Sequence, residues 1–256
     1  MFDLNGKVAL VAGGAGYLAT PICEALAGQG AAVMVADLAH ERAQALAGVM
    51  TSAGHKAGAI RLDVGIEQSV REAVAATCEK LGGLDILVNA TYHSIGKTVD
   101  ELGADEFDIA NRVNLTGAFL LAREAAGAMQ PGGSVIMFAS MYGQVSPDPR
   151  VYEPPLKPNP IEYGVAKAGI IQMVRYLAVA WASRGIRVNA ISPGPFPSPA
   201  VQKAAPDFIR RLVQKVPLGR IGAAGEIAAP VVLLASDEGS YITGETLNVN
   251  GGWTAW

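Results

Sequence analysis

Residues 7–19 read KVALVAGGAGYLA, a short apolar run that leads directly into a glycine-rich turn. The run 7–12 predicts a buried β-strand, and the residues from 17 to 29 predict a helix. Glycine at positions 13 and 16 permits a tight turn and lets the backbone approach a phosphate group at the helix N-terminus. A plain strand-to-helix turn can have the same composition, so the meaning of this turn depends on the rest of the chain.

The strand-helix alternation continues to the end of the chain. Strand-like apolar runs occupy residues 31–37, 57–63, 84–90, 133–140, 187–192 and 246–250. Helical patterns occupy residues 40–54, 66–81, 105–129, 161–184 and 224–236. Apolar strands separated by helices indicate an α/β fold with a parallel sheet covered on both faces. No domain boundary or repeat is visible, and the irregular stretches are 142–160 and 193–220.

Composition favours one globular domain of 256 residues, half of them hydrophobic and 17% charged. The net charge of −3 gives no indication of a nucleic-acid or anionic-membrane partner. Cys23 and Cys78 lack metal-ligand spacing and are typical of core residues in a reducing compartment. The N-terminus does not resemble a signal peptide, and no run reaches the ~18 apolar residues of a membrane span. We therefore expect a soluble, cytoplasmic protein without a metal.

Tyr163 and Lys167 lie four residues apart, on one face of a predicted helix. An ammonium beside a phenol favours the phenolate and lowers the tyrosine pKa toward neutrality, as acid-base chemistry requires. Two unrelated residues on a half-exposed helix face would show the same spacing.

Asp37 follows Gly16 by about the interval expected in a dinucleotide-binding unit and ends the second predicted strand. A carboxylate there accepts hydrogen bonds from the adenosine ribose of NAD and repels the 2′-phosphate of NADP. Leu38 and Ala39 follow, so no basic residue stands where it would receive that phosphate. The pattern predicts NAD, although Asp37 also fits a simple strand-end turn.

With these features the chain resembles the short-chain dehydrogenase/reductase family over essentially its whole length. The matching motifs are the glycine turn at 13–19, Asp37, Asp63-Val64, Asn89-Ala90, Asn114, Ser140, Tyr163 with Lys167, and Pro193-Gly194. The resemblance implies a Rossmann-type, doubly wound parallel sheet of seven strands with helices on both faces. It also implies a nicotinamide cofactor and hydride transfer to or from an alcohol or carbonyl.

The resemblance assigns four catalytic roles. Tyr163 would be the general base or acid, and Lys167 would lower its pKa and bind the nicotinamide ribose. Ser140 would hold the substrate oxygen, and Asn114 would anchor a water that links Lys167 to solvent. The structural alternatives are a strand-end turn for Ser140 and a backbone-bonding helix residue for Asn114.

The resemblance also assigns a cofactor surface, in which Asp63 would touch adenine and Ser198 the carboxamide. Its members are Gly13, Ala15, Gly16, Tyr17, Leu18, Asp37, Leu38, Asp63, Val64, Asn89, Ala90, Tyr163, Lys167, Pro193, Gly194, Phe196 and Ser198. A solvated turn is the alternative for Asp63, and a plain turn for Pro193-Gly194. The chain departs from the family pattern at Ala12, Tyr17, Ala19 and Asn89-Ala90-Thr91-Tyr92.

The segment 142–160 is about ten residues longer than in a typical family member and should roof the active site, since ligands bind at the carboxyl ends of the strands. It carries Arg150 and Tyr152, and with His93 these are candidate substrate residues. Arg150 could clamp a carboxylate, which favours a polar or anionic substrate. A solvated proline-rich loop is the alternative. The segment and the C-terminus resemble a subgroup associated with sugars and sugar acids.

Three functions fit these features. The favoured one is an NAD-dependent dehydrogenase of a sugar, sugar acid or polyol, with a substrate loop near 193–220. The others are a non-catalytic dinucleotide-binding regulator and a reductase of acyl or lipid-like carbonyls. The resemblance also implies a homotetramer formed through residues 105–129, 161–184 and the C-terminus, where Trp253 and Trp256 would be exposed apolar groups on a monomer.

Overall fold

The computed structural model describes residues 1–255, in which seven strands form one sheet. The strands are β1 (Val8–Ala12), β2 (Ala32–Asp37), β3 (Ala57–Arg61), β4 (Ile86–Asn89), β5 (Ser134–Phe138), β6 (Arg187–Pro193) and β7 (Thr246–Val249). The α-helices are α1 (Thr20–Gly28), α2 (His40–Ser52), α3 (Glu67–Leu81), α4 (Ala104–Asn111), α5 (Ala118–Ala128), α6 (Ile161–Trp181), α7 (Pro199–Ala204), α8 (Pro206–Lys215) and α9 (Ala228–Ala235).

The sheet is entirely parallel and has the order β3-β2-β1-β4-β5-β6-β7. Its order reverses at β1, whose Ala12 pairs with Ala36 of β2 on one side and Asn89 of β4 on the other. In doubly wound sheets a ligand crevice opens at this reversal, beyond the carboxyl ends of the strands. The predicted Rossmann-type fold of seven strands is confirmed.

Two apolar cores lie on opposite faces of the sheet, because successive strand side chains point to opposite sides. On one face Leu10 and Leu87 pack with buried side chains of α3, α5 and α6. On the other face Val11 and Val88 pack with α1, α2 and α9. The helices thus cover both faces, as the continuous apolar character of the strands predicts.

Two predicted segments differ from the structure. The helical pattern at 105–129 is interrupted by a π-helical stretch at Arg112–Gly117, between α4 and α5. A Cβ at Gly117 would lie 2.5 Å from the carbonyl oxygen of Val64, so this stretch passes too close to the neighbouring backbone for a side chain. The stretch 193–220, expected to be irregular, contains α7 and α8. Pro199 and Pro206 begin these two helices, where proline is compatible with helix geometry.

One helical run, Ile161–Arg184, is long and apolar enough to cross a membrane by length and composition, with a mean hydropathy of 1.2. The expectation that no segment reaches this length does not hold by this measure. Within the run Ile170, Val174 and Leu177 are buried in the core against the sheet. Core helices of globular proteins often have this composition.

A third, smaller core joins the segment 142–160 to the C-terminal residues. Met141, Val151, Leu212 and Trp253 are buried together there. The expectation that Trp253 is exposed is wrong, since only 8% of its surface is accessible. Trp256 lies outside the described residues.

Candidate active site

The turn after β1 presents bare backbone at its glycine positions. Gly13 has a φ of 71°, in the left-handed region that favours glycine. A Cβ at Gly13 would lie 3.1 Å from the carbonyl oxygen of Ala90, and one at Gly14 would lie 2.8 Å from that of Val11. The bare backbone at the start of a helix matches what a dinucleotide pyrophosphate requires, so the turn fits the predicted cofactor.

Two adjoining cavities extend from this turn. The larger, of about 660 Å³, is lined among others by Gly13, Gly16, Tyr17, Leu18, Ala90, Ser140, Tyr163, Lys167, Pro193, Gly194, Phe196 and Ser198. The smaller, of about 250 Å³, is lined among others by Asp37, Leu38, Asp63, Val64 and Ala90. All the residues of the predicted cofactor surface except Ala15 and Asn89 line one or both of these cavities.

The carboxylate of Asp37 is held by two backbone groups. It accepts hydrogen bonds from the N–H of Ala15 at 3.1 Å and of Ala39 at 3.0 Å. Arg42 of α2 lies at the same end of the site and donates to the carbonyl of Ala15 at 2.6 Å. A negative and a positive group therefore both lie beside the glycine turn, where a dinucleotide would place its adenosine half.

Ser140, Tyr163 and Lys167 converge at the other end of the large cavity. Ser140 follows β5 and accepts a hydrogen bond from the Tyr142 N–H at 3.1 Å. Tyr163 and Lys167 lie on successive turns of α6, with the Lys167 Nζ 5.5 Å from the phenol ring centroid. Lys167 is buried, and its Nζ donates to the Phe138 carbonyl at 2.6 Å. The three side chains are thus fixed by the carboxyl end of β5 and the first turns of α6.

Burial dominates the electrostatics of this group. It raises the pKa of Tyr163, and the interaction with the Ser140 hydroxyl lowers that pKa only in part. Burial also lowers the pKa of Lys167, to about 8. The expected net lowering of the Tyr163 pKa is therefore wrong for the protein alone, because desolvation of a phenolate outweighs the stabilisation by its neighbours.

Asn114 lies inside the π-helical stretch and is buried. Its amide oxygen accepts from the His93 N–H, and its amide nitrogen donates to the His93 carbonyl, each at 2.7 Å. Its side chain thus performs the structural role considered as an alternative. The role of Asn114 in a proton path stays a prediction.

The segment after β4 is organised by Asn89. Its side-chain oxygen accepts from the backbone N–H of Thr91 at 3.1 Å and from the Thr91 hydroxyl at 2.7 Å. Tyr92 then meets Tyr163 edge to face, with ring centroids 6.3 Å apart. The departures from the family pattern at Thr91 and Tyr92 are therefore accommodated by local contacts.

Asp63 follows β3 and forms a local turn, in which its side chain accepts a hydrogen bond from the Gly65 N–H at 3.0 Å. It also lines the smaller cavity.

The chain after β6 passes close to the end of β7. The Gly194 N–H donates to the Val249 carbonyl at 2.9 Å, and a Cβ at Gly194 would lie 2.5 Å from the Cα of Asn250. Phe196 packs on Gly222, and Ser198 immediately precedes α7. All three residues line the large cavity, so this turn forms one wall of the site.

The candidate substrate residues are placed differently from expectation. The Arg150 guanidinium binds Asp148 through several hydrogen bonds, and 79% of its side chain is exposed. The Tyr152 hydroxyl pairs with that of Tyr142 at 2.7 Å, and His93 lines the smaller cavity beside Asp37. The expected carboxylate clamp by Arg150 has no counterpart in this geometry, because the guanidinium is paired with Asp148 and does not line the cavity that contains Tyr163.

The segment 142–160 is fastened at its outer side by ion pairs. Arg211 and Lys215 of α8 contact Glu153 and Asp148, at 2.8 and 2.6 Å respectively. Lys157 contacts Glu101 at 2.7 Å. The segment is therefore held against α8 and the loop before α4.

Two residues that the sequence reasoning missed line the large cavity. Arg42 follows Asp37 by five positions, and Asn159 precedes Tyr163 by four. The signal for Asn159 was its place between Pro158 and Pro160, just before the catalytic helix. The signal for Arg42 was a cation in the first turn of the helix that follows Asp37.

This chain is similar to known proteins over nearly its whole length. The family model described as "Enoyl-(Acyl carrier protein) reductase" matches residues 14–254. D-threitol dehydrogenase of Mycolicibacterium smegmatis is 34% identical over 262 residues, which covers 99% of this chain and 95% of that protein.

Two solved structures are also similar to this chain over its whole length. A short-chain type dehydrogenase/reductase from Mycobacterium marinum matches with a TM-score of 0.88 and 32% identity, over 100% of this chain and 98% of that one. A gluconate 5-dehydrogenase from Burkholderia cenocepacia, solved with NADP and tartrate, matches with a TM-score of 0.88 and 28% identity, over 100% and 98% of the two chains. This chain belongs to the short-chain dehydrogenase/reductase family.

Proposed function

We propose that this protein is an NAD-dependent dehydrogenase that interconverts a polar alcohol, such as a polyol, sugar or sugar acid, and its carbonyl. The observation that carries the proposal is the convergence of Ser140, Tyr163 and Lys167 on the cavity that begins at the glycine turn. Action on hydroxyl or carbonyl groups is the common property of the family.

In alcohol oxidation, the substrate hydroxyl would bind between Ser140 and Tyr163. Tyr163 takes the proton of the hydroxyl, and the carbon that bears this hydroxyl gives up a hydride as the carbonyl forms. The nicotinamide cofactor supplies the hydride acceptor in this direction and the hydride donor in the reverse one. Lys167 provides a buried positive charge near the phenol and thereby favours the phenolate that oxidation requires.

The glycine turn would hold the pyrophosphate, and Asp37 supports the choice of NAD. The N–H groups of Ala15 and Ala39 hold the Asp37 carboxylate at the carboxyl end of β2. A ribose bound there would therefore contact a negatively charged group in a fixed position. A 2′-phosphate would meet that charge. Arg42 is the observation that favours NADP as second candidate, because it is the cation at the same end of the site.

The test is a substrate screen followed by the absorbance of NADH and NADPH. Polyols, aldoses, sugar acids, a simple secondary alcohol and an acetoacetyl thioester would be tried with each cofactor and in both directions. Oxidation of hydroxylated substrates with NAD supports the proposal. Turnover of the thioester alone would assign the acyl-carbonyl reductase instead, and cofactor binding without turnover would assign the non-catalytic regulator.

The proposal includes a homotetramer in the cytoplasm, with 142–160 over the active site and 193–220 as the substrate loop. Exposed apolar side chains on α4 and α6 support assembly, among them Ile109, Val165, Tyr176 and Val179. Such residues on two neighbouring helices are costly on a monomer exposed to water.

A further inference from the structure

Asn159 is the contribution of the segment 142–160 to the wall of the large cavity. It lies four residues before Tyr163 and lines that cavity together with Ser140 and Tyr163. It also lines a neighbouring cavity of about 590 Å³ whose walls include Tyr142, Pro147 and Val165. Asn159 therefore stands between the catalytic cavity and a second, largely apolar space.

The amide oxygen of Asn159 has no protein partner. Its Oδ1 is buried and accepts no hydrogen bond from residues 1–255. A buried acceptor without a donor carries a free-energy cost, so such groups in native proteins call for a functional explanation. The terminal torsion of asparagine is broad, which lets this amide turn toward a ligand.

The backbone around Asn159 is stiff. Pro158 and Pro160 flank it, and Pro160 has a φ of −73° at the start of α6. Proline fixes φ on both sides of the asparagine and thereby holds its Cα in one place relative to Tyr163. The amide is thus positioned by the same helix start that positions the acid-base residue.

The described part of the cavity wall around Ser140, Tyr163 and Asn159 presents hydroxyls, an amide and the Tyr92 ring. Of the cations that line the cavity, Arg42 lies beside the glycine turn and donates to the Ala15 carbonyl, and Lys167 is buried beside the phenol and donates to the Phe138 carbonyl. Arg150 is paired with Asp148 on the surface. Among the described residues, a substrate carboxylate beside Asn159 would find no arginine or lysine that forms an exposed ion-pairing site there, whereas an uncharged hydroxyl would find an acceptor.

We infer that Asn159 is a specificity-determining residue that binds a second hydroxyl of a neutral diol or polyol, while Ser140 and Tyr163 hold the hydroxyl that reacts. A hydroxyl group both donates and accepts hydrogen bonds, and so matches a carboxamide. The inference rests on the proposed function and narrows its substrate class from polar alcohols to uncharged ones with two neighbouring hydroxyls.

The experiment compares cis-cyclohexane-1,2-diol with cyclohexanol, which differ by one hydroxyl, and adds D-threitol and D-gluconate. The wild-type enzyme should oxidise the diol with a kcat/KM roughly ten- to a hundredfold above that for cyclohexanol, and threitol in preference to gluconate. Asn159→Leu keeps the side-chain size and removes both polar atoms. It should lose most of this preference, measured as the ratio of kcat/KM for the diol to kcat/KM for cyclohexanol.

Asn159→Asp is the second variant, because it retains an acceptor and nearly the same shape. It should keep more of the diol preference than Asn159→Leu does. NADH affinity, measured by fluorescence, should match the wild type in both variants, and the melting temperature of Asn159→Leu should not fall below that of the wild type. These two measurements show that the site and the fold are intact.

Two failures are distinguishable. If the wild-type enzyme oxidises no alcohol with either cofactor, the proposed function fails and the inference falls with it. If it oxidises cyclohexanol and the diol equally well, or prefers gluconate, or if Asn159→Leu retains the diol preference, the proposed function stands and the role of Asn159 is overturned.

Discussion

The side-chain amide of Asn114 and the backbone of His93 form a reciprocal pair of hydrogen bonds, each 2.7 Å long. The amide lies in the π-helical stretch between α4 and α5, and His93 lies just beyond the end of β4. The pair therefore ties the helix layer to the chain that carries Tyr92. Because it uses the amide oxygen and one amide hydrogen, the main role of the Asn114 side chain in the protein alone is structural.

Replacing Asn114 by alanine should destabilise the protein by about 1–3 kcal/mol, because the N–H and carbonyl of His93 lose their partners. The measurement is urea unfolding. Asn111→Ala is the matched control, since the Asn111 amide donates only to the Phe107 carbonyl of its own helix. Equal losses for the two variants would show that the His93 contact contributes nothing special.

Tyr163→Phe should abolish turnover while NADH still binds. The substitution removes only the hydroxyl, which carries the transferable proton, and leaves the ring and its contact with Tyr92. Steady-state kinetics and a fluorescence titration of NADH check the two halves of the expectation. A variant that keeps more than a few per cent of the wild-type kcat would remove Tyr163 from the acid-base role.

The wild-type protein should have a higher kcat/KM with NAD than with NADP, and Asp37→Ala should narrow that gap by roughly ten- to a hundredfold through loss of charge repulsion. Arg42 gives the sharper test. Adding Arg42→Ala to Asp37→Ala should reverse most of the gain with NADP, because it removes the cation beside the same turn. Equal kcat/KM for both cofactors in the wild type would contradict the assignment of Asp37.

Lys167 should make folding stability depend on pH. Its pKa of about 8 in the folded protein lies below the ~10.4 of an unfolded lysine. Below pH ~8 both states are protonated and the folded state carries the cost of a buried charge; between ~8 and ~10.4 the unfolded state binds more protons, so the free energy of unfolding rises with pH.

The free energy of unfolding of the wild type should therefore gain about 2 kcal/mol over that of Lys167→Met between about pH 7.5 and pH 9.5. Chemical unfolding of both proteins at the two pH values measures the difference, and groups common to both cancel. A difference that does not change with pH would mean that Lys167 remains charged in the fold over this range.

Light scattering should give four times the chain mass of 26.5 kDa. Val179→Glu should dissociate the assembly, because Val179 lies on α6 with 81% of its surface exposed in a single chain. Val49→Glu on α2 is the matched control and should leave the mass unchanged, although Val49 is also an exposed apolar residue. A wild-type mass of one chain would contradict the proposed tetramer.

Features encoded by local pattern were accessible from sequence. The apolar runs at β1 and β4 indicate buried strands, and the carboxyl ends of parallel strands must share one edge. This geometry places the glycine turn with Gly13 at the ligand edge, whereas the resemblance to the family is what assigns Ser140 and Tyr163 to the same site. The π-helical stretch was not predicted because it depends on the close tertiary contact of Gly117 with Val64. The helices α7 and α8 were not predicted because the proline-rich composition of 193–220 was interpreted as irregular, whereas Pro199 and Pro206 begin helices.

Other misses concern side-chain direction. The sequence does not show that Trp253 packs beside Val151, because these residues are far apart in the chain. Arg150 binds Asp148 only two residues before it, but the sequence does not reveal which way the Arg150 side chain turns. The sign of the Tyr163 pKa shift depends on how deeply the phenol is buried, which spacing alone does not reveal. The local sequence signals of Asn159 and Arg42 do not by themselves show that the two side chains line the large cavity.

The fastening of the segment 142–160 has a consequence for how this scaffold can change. Near Lys157 the segment is held by an exposed ion pair with Glu101, whereas its Val151 is buried in the third core and Ser140 and Lys167 are anchored in the interior. Exposed ion pairs contribute little to stability, so they are easily replaced. The part of the segment around Lys157 can therefore vary, whereas the buried contacts of Val151 and the proton-transfer residues must be kept. Exchanging that part for the corresponding part of a relative should transplant substrate preference and leave the proton-transfer machinery untouched.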